Sequence, residues 1–151
     1  MKLSFSEPGL PKTGAVIVCV GDGGKLSATA RQLDKATGGA LSRAIKESRF
    51  LGKKSQLLDV VAPGGVAYGR IVMAGVGKGL NEQDQLALGG RLYAHLNQMG
   101  VKAAQVALEA TGRDLSEAAA NVAHGAHLRS YRFDKYRTQE KADTKPTLRA
   151  L

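Results

Sequence analysis

Few residues in this chain have the type and spacing to do chemistry. His124 and His127 lie three apart, so on a helix they share a face. Zinc would need a third ligand and in most sites a fourth. The flanking Ala123, Gly125, Ala126 and Leu128 supply none, and Glu109 and Asp114 are unspecific candidates. Surface histidines are therefore the expectation, and His95, close to Tyr93 and Leu96, reads as a packed or surface histidine rather than a catalytic one. Cys19 sits inside a β-branched run, as a small core residue does. No serine stands in G-x-S-x-G, and the 13 acidic residues form no two-metal constellation.

Two glycine turns follow apolar runs, GDGGKLS at 21–27 and GVGKGL at 75–80. A strand, a glycine turn and a helix can present backbone N–H groups to phosphate. Neither turn is a P-loop, since the first glycine would fall at Cys19 or Val72, and Leu26 or Gly79 stands where an alcohol is required. Leu26 and Leu80 likewise replace the third glycine of G-x-G-x-x-G. Gly75, Gly77, Lys78 and Gly79 remain as a weak candidate phosphate turn, with an ordinary tight turn as the favoured reading.

The segment RSYRFDKYRT, 129–138, holds Tyr131, Phe133 and Tyr136 among Arg129, Arg132, Lys135 and Arg137. Those rings are three of the seven aromatics (4 Tyr, 3 Phe). Interleaved rings and cations can stack bases and hold phosphates, or they can pack at a protein junction. Continued as helix, Arg129, Arg132 and Tyr136 would share one face. The formal charge of +9 permits an anionic partner without requiring one. A second basic cluster, Arg43, Lys46, Arg49, Lys53 and Lys54, is opposed only by Glu47.

The elements that position these residues alternate. LSF near the start reads as a short edge strand and Val16–Val20 as a buried one. Ser27 caps a helix through about Thr37, Gly38 and Gly39 break it, and a second helix carries Leu41, Ala44 and Ile45. QLLDVVAP and RIVMAGVGKG read as neighbouring strands joined by a long loop. NEQDQLALGGRLYAHLNQMG then reads as a helix, AAQVALEA as a strand, and Leu115 to about Arg129 as a last helix opened by Asp114 and Glu117. The order β-β-α-α-β-β-α-β-α predicts an α/β three-layer sandwich, a mixed, mostly parallel sheet flanked by helices. The polar stretch after Arg137 reads as a linker. A length of 151 residues fits one domain, the single cysteine fits a reducing compartment, and no apolar run is long enough to span a membrane. The expected location is the cytoplasm.

Taken in order, LDKATGGALSRAIKESRFLGKK, LLDV, RIVMAGVGKG, LGGRLYAHL and LRSYRFDKYRT resemble the N-terminal domain of leucyl (cytosol) aminopeptidases. The resemblance spans roughly Leu33 to Thr138. It implies a macro-domain-like, non-catalytic domain over 1–138, with 139–151 starting a linker to a C-terminal catalytic domain. It places the two divalent metals, zinc or manganese, in that absent domain, so no catalytic or metal residue carries over. This chain alone is expected to be inactive and to bind no cofactor. The implied partners are its own catalytic domain and further copies in a cytoplasmic hexamer. DNA stays open because some bacterial members bind it, and macro domains proper often bind ADP-ribose. On this reading Arg129, Tyr131, Arg132, Phe133, Lys135 and Tyr136 form an interdomain anchor, with DNA-binding or nucleotide-binding modules as the alternatives.

Overall fold

The structure is a computed structural model that describes residues 1–6, 10, 14–109, 114–131 and 145–151. Its centre is two parallel strands, β1 (Ala15–Gly21) and β4 (Arg70–Gly77), registered from Ala15↔Arg70 to Gly21↔Gly77. Both are continuous apolar runs because both faces of the sheet are covered. Val16, Val18 and Val20 point to one layer with Ile71 and Met73. Ala15, Ile17 and Cys19 point to the other with Val72, Ala74 and Val76. That alternation builds two cores on one sheet.

The first core is closed by helices α1 (Ala28–Ala36) and α2 (Ala40–Lys46) through Ala30, Leu33 and Leu41, with Phe50 beneath them. Ser27 does cap α1, its hydroxyl accepting from the Ala30 N–H, and Gly38 and Gly39 separate the two helices in positive φ. The second core is closed by α3 (Glu82–Gln98), through Leu88, Leu92, Tyr93 and Leu96, and by α4 (Leu115–Ser130), through Val122 and Ala126. A full capping box, Asn81 with Asp84, starts α3. Asp114 caps α4 by accepting from the Ser116 and Glu117 N–H groups. The predicted three-layer α/β sandwich is the fold found.

The sheet is mixed. β3 (Leu57–Val61) runs antiparallel beside β4 at one edge, the predicted pair with its long loop. β5 (Ala104–Ala107) runs parallel to β1 on its other side, and the two-residue β2 (Lys25–Leu26) folds back on the end of β1. Beyond β5 the two chain termini add to the same sheet. Ala150 bridges Ala103 on one side and Lys2 on the other, both parallel. Bonds from the Lys2 N–H to Arg149 O (2.7 Å) and from the Ser4 N–H to Leu151 O (3.1 Å) extend the pairing.

Over 145–151 this corrects the expected linker at 139–151. Lys145–Leu151 is part of the domain, because Leu148 is 4% exposed in the α3–α4 core. Asn97, near the end of α3, holds the segment. Its Oδ1 accepts from the N–H groups of Thr147 (2.7 Å) and Leu148 (2.9 Å), while its Nδ2 donates to Tyr93 O. Residues 139–144 lie outside the described residues.

Candidate functional site

In an open sheet with parallel strands, ligands bind in the crevice beyond the strands' carboxyl ends. Here β1 ends at Gly21 and β4 at Gly77, side by side in register, and each runs into one of the glycine turns. The fold thus brings the two sequence-flagged turns together. Four of their glycine N–H groups, however, are already engaged. The Gly75 N–H donates to Gln56 O (2.9 Å), that of Gly77 to Gly52 O (2.8 Å), and that of Gly79 to Val76 O (3.1 Å). On the other turn the Gly23 N–H donates to Leu51 O (3.0 Å). In the candidate phosphate turn, Gly75, Gly77 and Gly79 thus donate their N–H groups within the protein, beside the exposed Lys78.

The titratable groups are committed as well. Cys19 is buried, its thiol pushed up to about 11 by burial, with its Sγ against Ala107 O. Such a thiol is a poor nucleophile. Glu109, just past β5, accepts from the Thr29 hydroxyl (2.5 Å) and N–H (2.9 Å) at the start of α1. Partial burial alone would raise its carboxyl, but the hydrogen bonds from Thr29 and Ser27 and the nearby Arg31 charge hold it below its ordinary value. His95 meets Asp59 Oδ1 through Nε2 (2.8 Å), and Arg70 pairs with the same carboxylate, tying α3 to β3 and β4. It is a packed, paired histidine.

His124 and His127 lie exposed on α4. Among the described residues no group of three or more His, Cys, Asp or Glu is placed to hold a metal. Two interactions that the sequence did not flag pin the segment before β3 onto α3: Lys54 Nζ to Asp84 (2.6 Å) and Arg91 to the Ser55 hydroxyl (2.9 Å).

Of the aromatic and basic segment, Arg129 and Tyr131 are described, whereas Arg132, Phe133, Lys135 and Tyr136 lie outside the described residues. Helix α4 stops at Ser130, and Tyr131 turns extended with φ −65° and ψ 123°. The face expected for Arg129, Arg132 and Tyr136 lies, beyond Tyr131, outside the described residues. Tyr131 is 79% exposed and Leu128 60%, so the end of α4 presents apolar surface next to Arg129.

The sequence model of the cytosol aminopeptidase family, N-terminal domain, matches residues 17–140. The chain belongs to that family. It is 43% identical over 141 residues to a probable cytosol aminopeptidase of Caulobacter vibrioides, covering 92% of this chain and 28% of the relative. A probable cytosol aminopeptidase of Rhodopseudomonas palustris is 36% identical over 145 residues, covering 95% of this chain and 29% of the relative. The chain thus spans less than a third of the relatives it matches. Among solved structures a mutant of tomato leucine aminopeptidase superposes with TM-score 0.71 at 23% identity, over 97% of this chain and 33% of that one. The macrodomain of Mycobacterium tuberculosis DarG superposes with TM-score 0.64 at 12% identity, over 99% and 95% of the two chains. Both show the fold, and the second supports the macro-like architecture. The cytosol aminopeptidase domain seen here holds no helix, among the described residues, long and apolar enough to cross a membrane.

Proposed function

We propose that this chain is the non-catalytic N-terminal part of a two-metal, cytoplasmic leucyl aminopeptidase, serving assembly and access to a catalytic domain elsewhere in the protein. The observation that carries the reading is the family match over 17–140 in a chain spanning about 28% of its relative. The full protein would release N-terminal residues from peptides. Two metals there would supply Lewis-acid chemistry, lowering the pKa of bound water and offsetting negative charge as it develops. Zinc or manganese would be held by the catalytic domain. Among the described residues the donor groups do not gather into such a site: Cys19 is buried, Glu109 bonds Thr29, and Asp59 bonds His95 and Arg70.

The junction is proposed at Arg129–Tyr136. Exposed Leu128 and Tyr131 beside Arg129 support it, since rings and aliphatic groups left in water at a helix end suit burial by the next domain. Assembly as a hexamer belongs to the same proposal. The test compares the purified chain with the longer protein on a leucine chromogenic amide, with manganese or zinc added. Turnover by the longer protein alone is expected. Metal-dependent turnover by the 151-residue chain above a mock-purified control would overturn the reading.

A DNA-binding role is the second reading, favoured by the charge of +9. Its signature is duplex affinity that falls steeply with salt and weakens when Arg129, Arg132 and Lys135 are neutralised.

A further inference from the structure

The connection from α2 to β3 crosses the carboxyl ends of β1 and β4, where a ligand would sit in this architecture. We propose that its segment Leu51–Gln56 is the permanent internal occupant of that crevice, a strap whose carbonyl oxygens take the N–H groups a phosphate would otherwise use. This inference is independent of the aminopeptidase reading, because it concerns only what the strand ends can accept.

Three observations converge on it. Leu51 O, Gly52 O and Gln56 O accept from Gly23, Gly77 and Gly75 in turn, so the strap bonds both glycine turns. The approach is main chain against main chain. A Cβ at Gly52 would lie 2.8 Å from the Gly21 carbonyl carbon, and one at Gly75 would lie 2.8 Å from the Gly52 carbonyl carbon. Gly52 also has φ +70°, which side-chain-bearing residues rarely adopt. These glycines thus have a reason other than a phosphate: they admit the strap.

The strap is also fastened at several points. Gln56 Oε1 accepts from the N–H groups of Leu51 (2.9 Å) and Lys53 (3.0 Å), and its Nε2 donates to Arg49 O (3.3 Å). Lys54 pairs with Asp84 at 2.6 Å and Ser55 accepts from Arg91 at 2.9 Å, so α3 holds the outer side. A segment anchored to the sheet, to itself and to a helix acts as a filled site. The chain has a macro-like frame whose strand ends are covered by its own main chain.

Amide exchange and titration by NMR on this chain test the proposal. The Gly23 and Gly77 amides are expected to be strongly protected, and millimolar ADP-ribose or inorganic phosphate is expected to leave the resonances of Gly23, Gly75 and Gly77 unmoved. Gln56→Ala removes three anchoring bonds and is expected to speed exchange at Gly23 and Gly77 about ten-fold, with the β1–β5 ladder as the internal control. Unprotected Gly23 and Gly77 amides, saturable shifts of the three glycines with ADP-ribose, or no response to Gln56→Ala would each overturn it. Binding that shifts only residues elsewhere leaves the crevice filled and supports the strap.

Discussion

Gly125→Ala and Gly90→Ala are the same chemical change in neighbouring helices, and the packing of α3 on α4 predicts opposite signs. An alanine in a helix interior is favoured over glycine by about 1 kcal/mol. At Gly90 little opposes that gain, because the added Cβ would meet Gly125 O at 3.6 Å and Arg129 Cβ at 3.8 Å, ordinary contacts. At Gly125 the Cβ would lie 2.7 Å from the Leu86 carbonyl carbon and 2.9 Å from Leu86 Cα. Carbon atoms rest ~3.5–4.0 Å apart, so α3 and α4 would have to separate by roughly 1 Å. Backbone is the obstacle, so no side-chain rotation relieves it. Gly89 makes the reciprocal approach to Val122, which prevents a simple slide.

Overpacking costs about 1–3 kcal/mol and at times more, and here separation also loosens buried Leu88, Leu92, Val122 and Ala126. The clash outweighs the propensity gain. Gly125→Ala should lose about 2 kcal/mol or more, a fall in Tm of roughly 4–8 °C for a chain of this size. Gly90→Ala should gain up to about 1 kcal/mol. Urea unfolding followed by far-UV circular dichroism reads both. A Gly125→Ala variant as stable as the parent would refute the close-crossing argument, and a destabilised Gly90→Ala would refute the propensity side.

Asn97→Ala leaves the Thr147 and Leu148 N–H groups without their acceptor, so it should cost about 1–3 kcal/mol and release the segment Lys145–Leu151 to proteolysis. Cleavage near Thr147 no faster than in the parent would contradict this. The buried Cys19 thiol, raised to about 11, should resist an aromatic disulfide reagent at pH 8 until the protein is unfolded; prompt reaction in the native state would show that β1 is accessible. Glu109 has a folded-state carboxyl held below its ordinary 4.5, so its contribution is present above that pH and lost as pH falls through the lowered value. Glu109→Gln should therefore flatten the loss of stability below pH 4.5, seen as a smaller drop in Tm between neutral and acid buffers. An unchanged acid limb would mean that Thr29 and Ser27 do not favour the charged form.

The frame of the fold was legible because its signals are local. Val16–Val20 and Arg70–Gly77 are apolar runs ended by glycine, Ser27 stands at a helix start, and Gly38-Gly39 stands at a break. The C-terminal segment was not legible, since Lys145–Leu151 has one core residue, Leu148, and Ala150 bridges Lys2 and Ala103. No local period announces a segment held by long-range hydrogen bonds. The glycine turns were found as turns, but the reason for Gly75 was not legible: it is small to admit the main chain of Gly52 and Lys53, a contact with a loop about 20 residues away in sequence. The Lys54–Asp84 and His95–Asp59 pairs escaped for the same reason, being made across elements. Arg129 and Tyr131 were singled out by composition alone, and the exposure of Tyr131 agrees with a surface role.

The most direct measurement is the intact mass of the native gene product, captured from its source with an antibody against this domain. The account predicts a polypeptide more than three times the 15.8 kDa of this chain, with the catalytic, metal-binding half in the remainder. A native product of 15.8 kDa would contradict it and make the protein a free-standing domain.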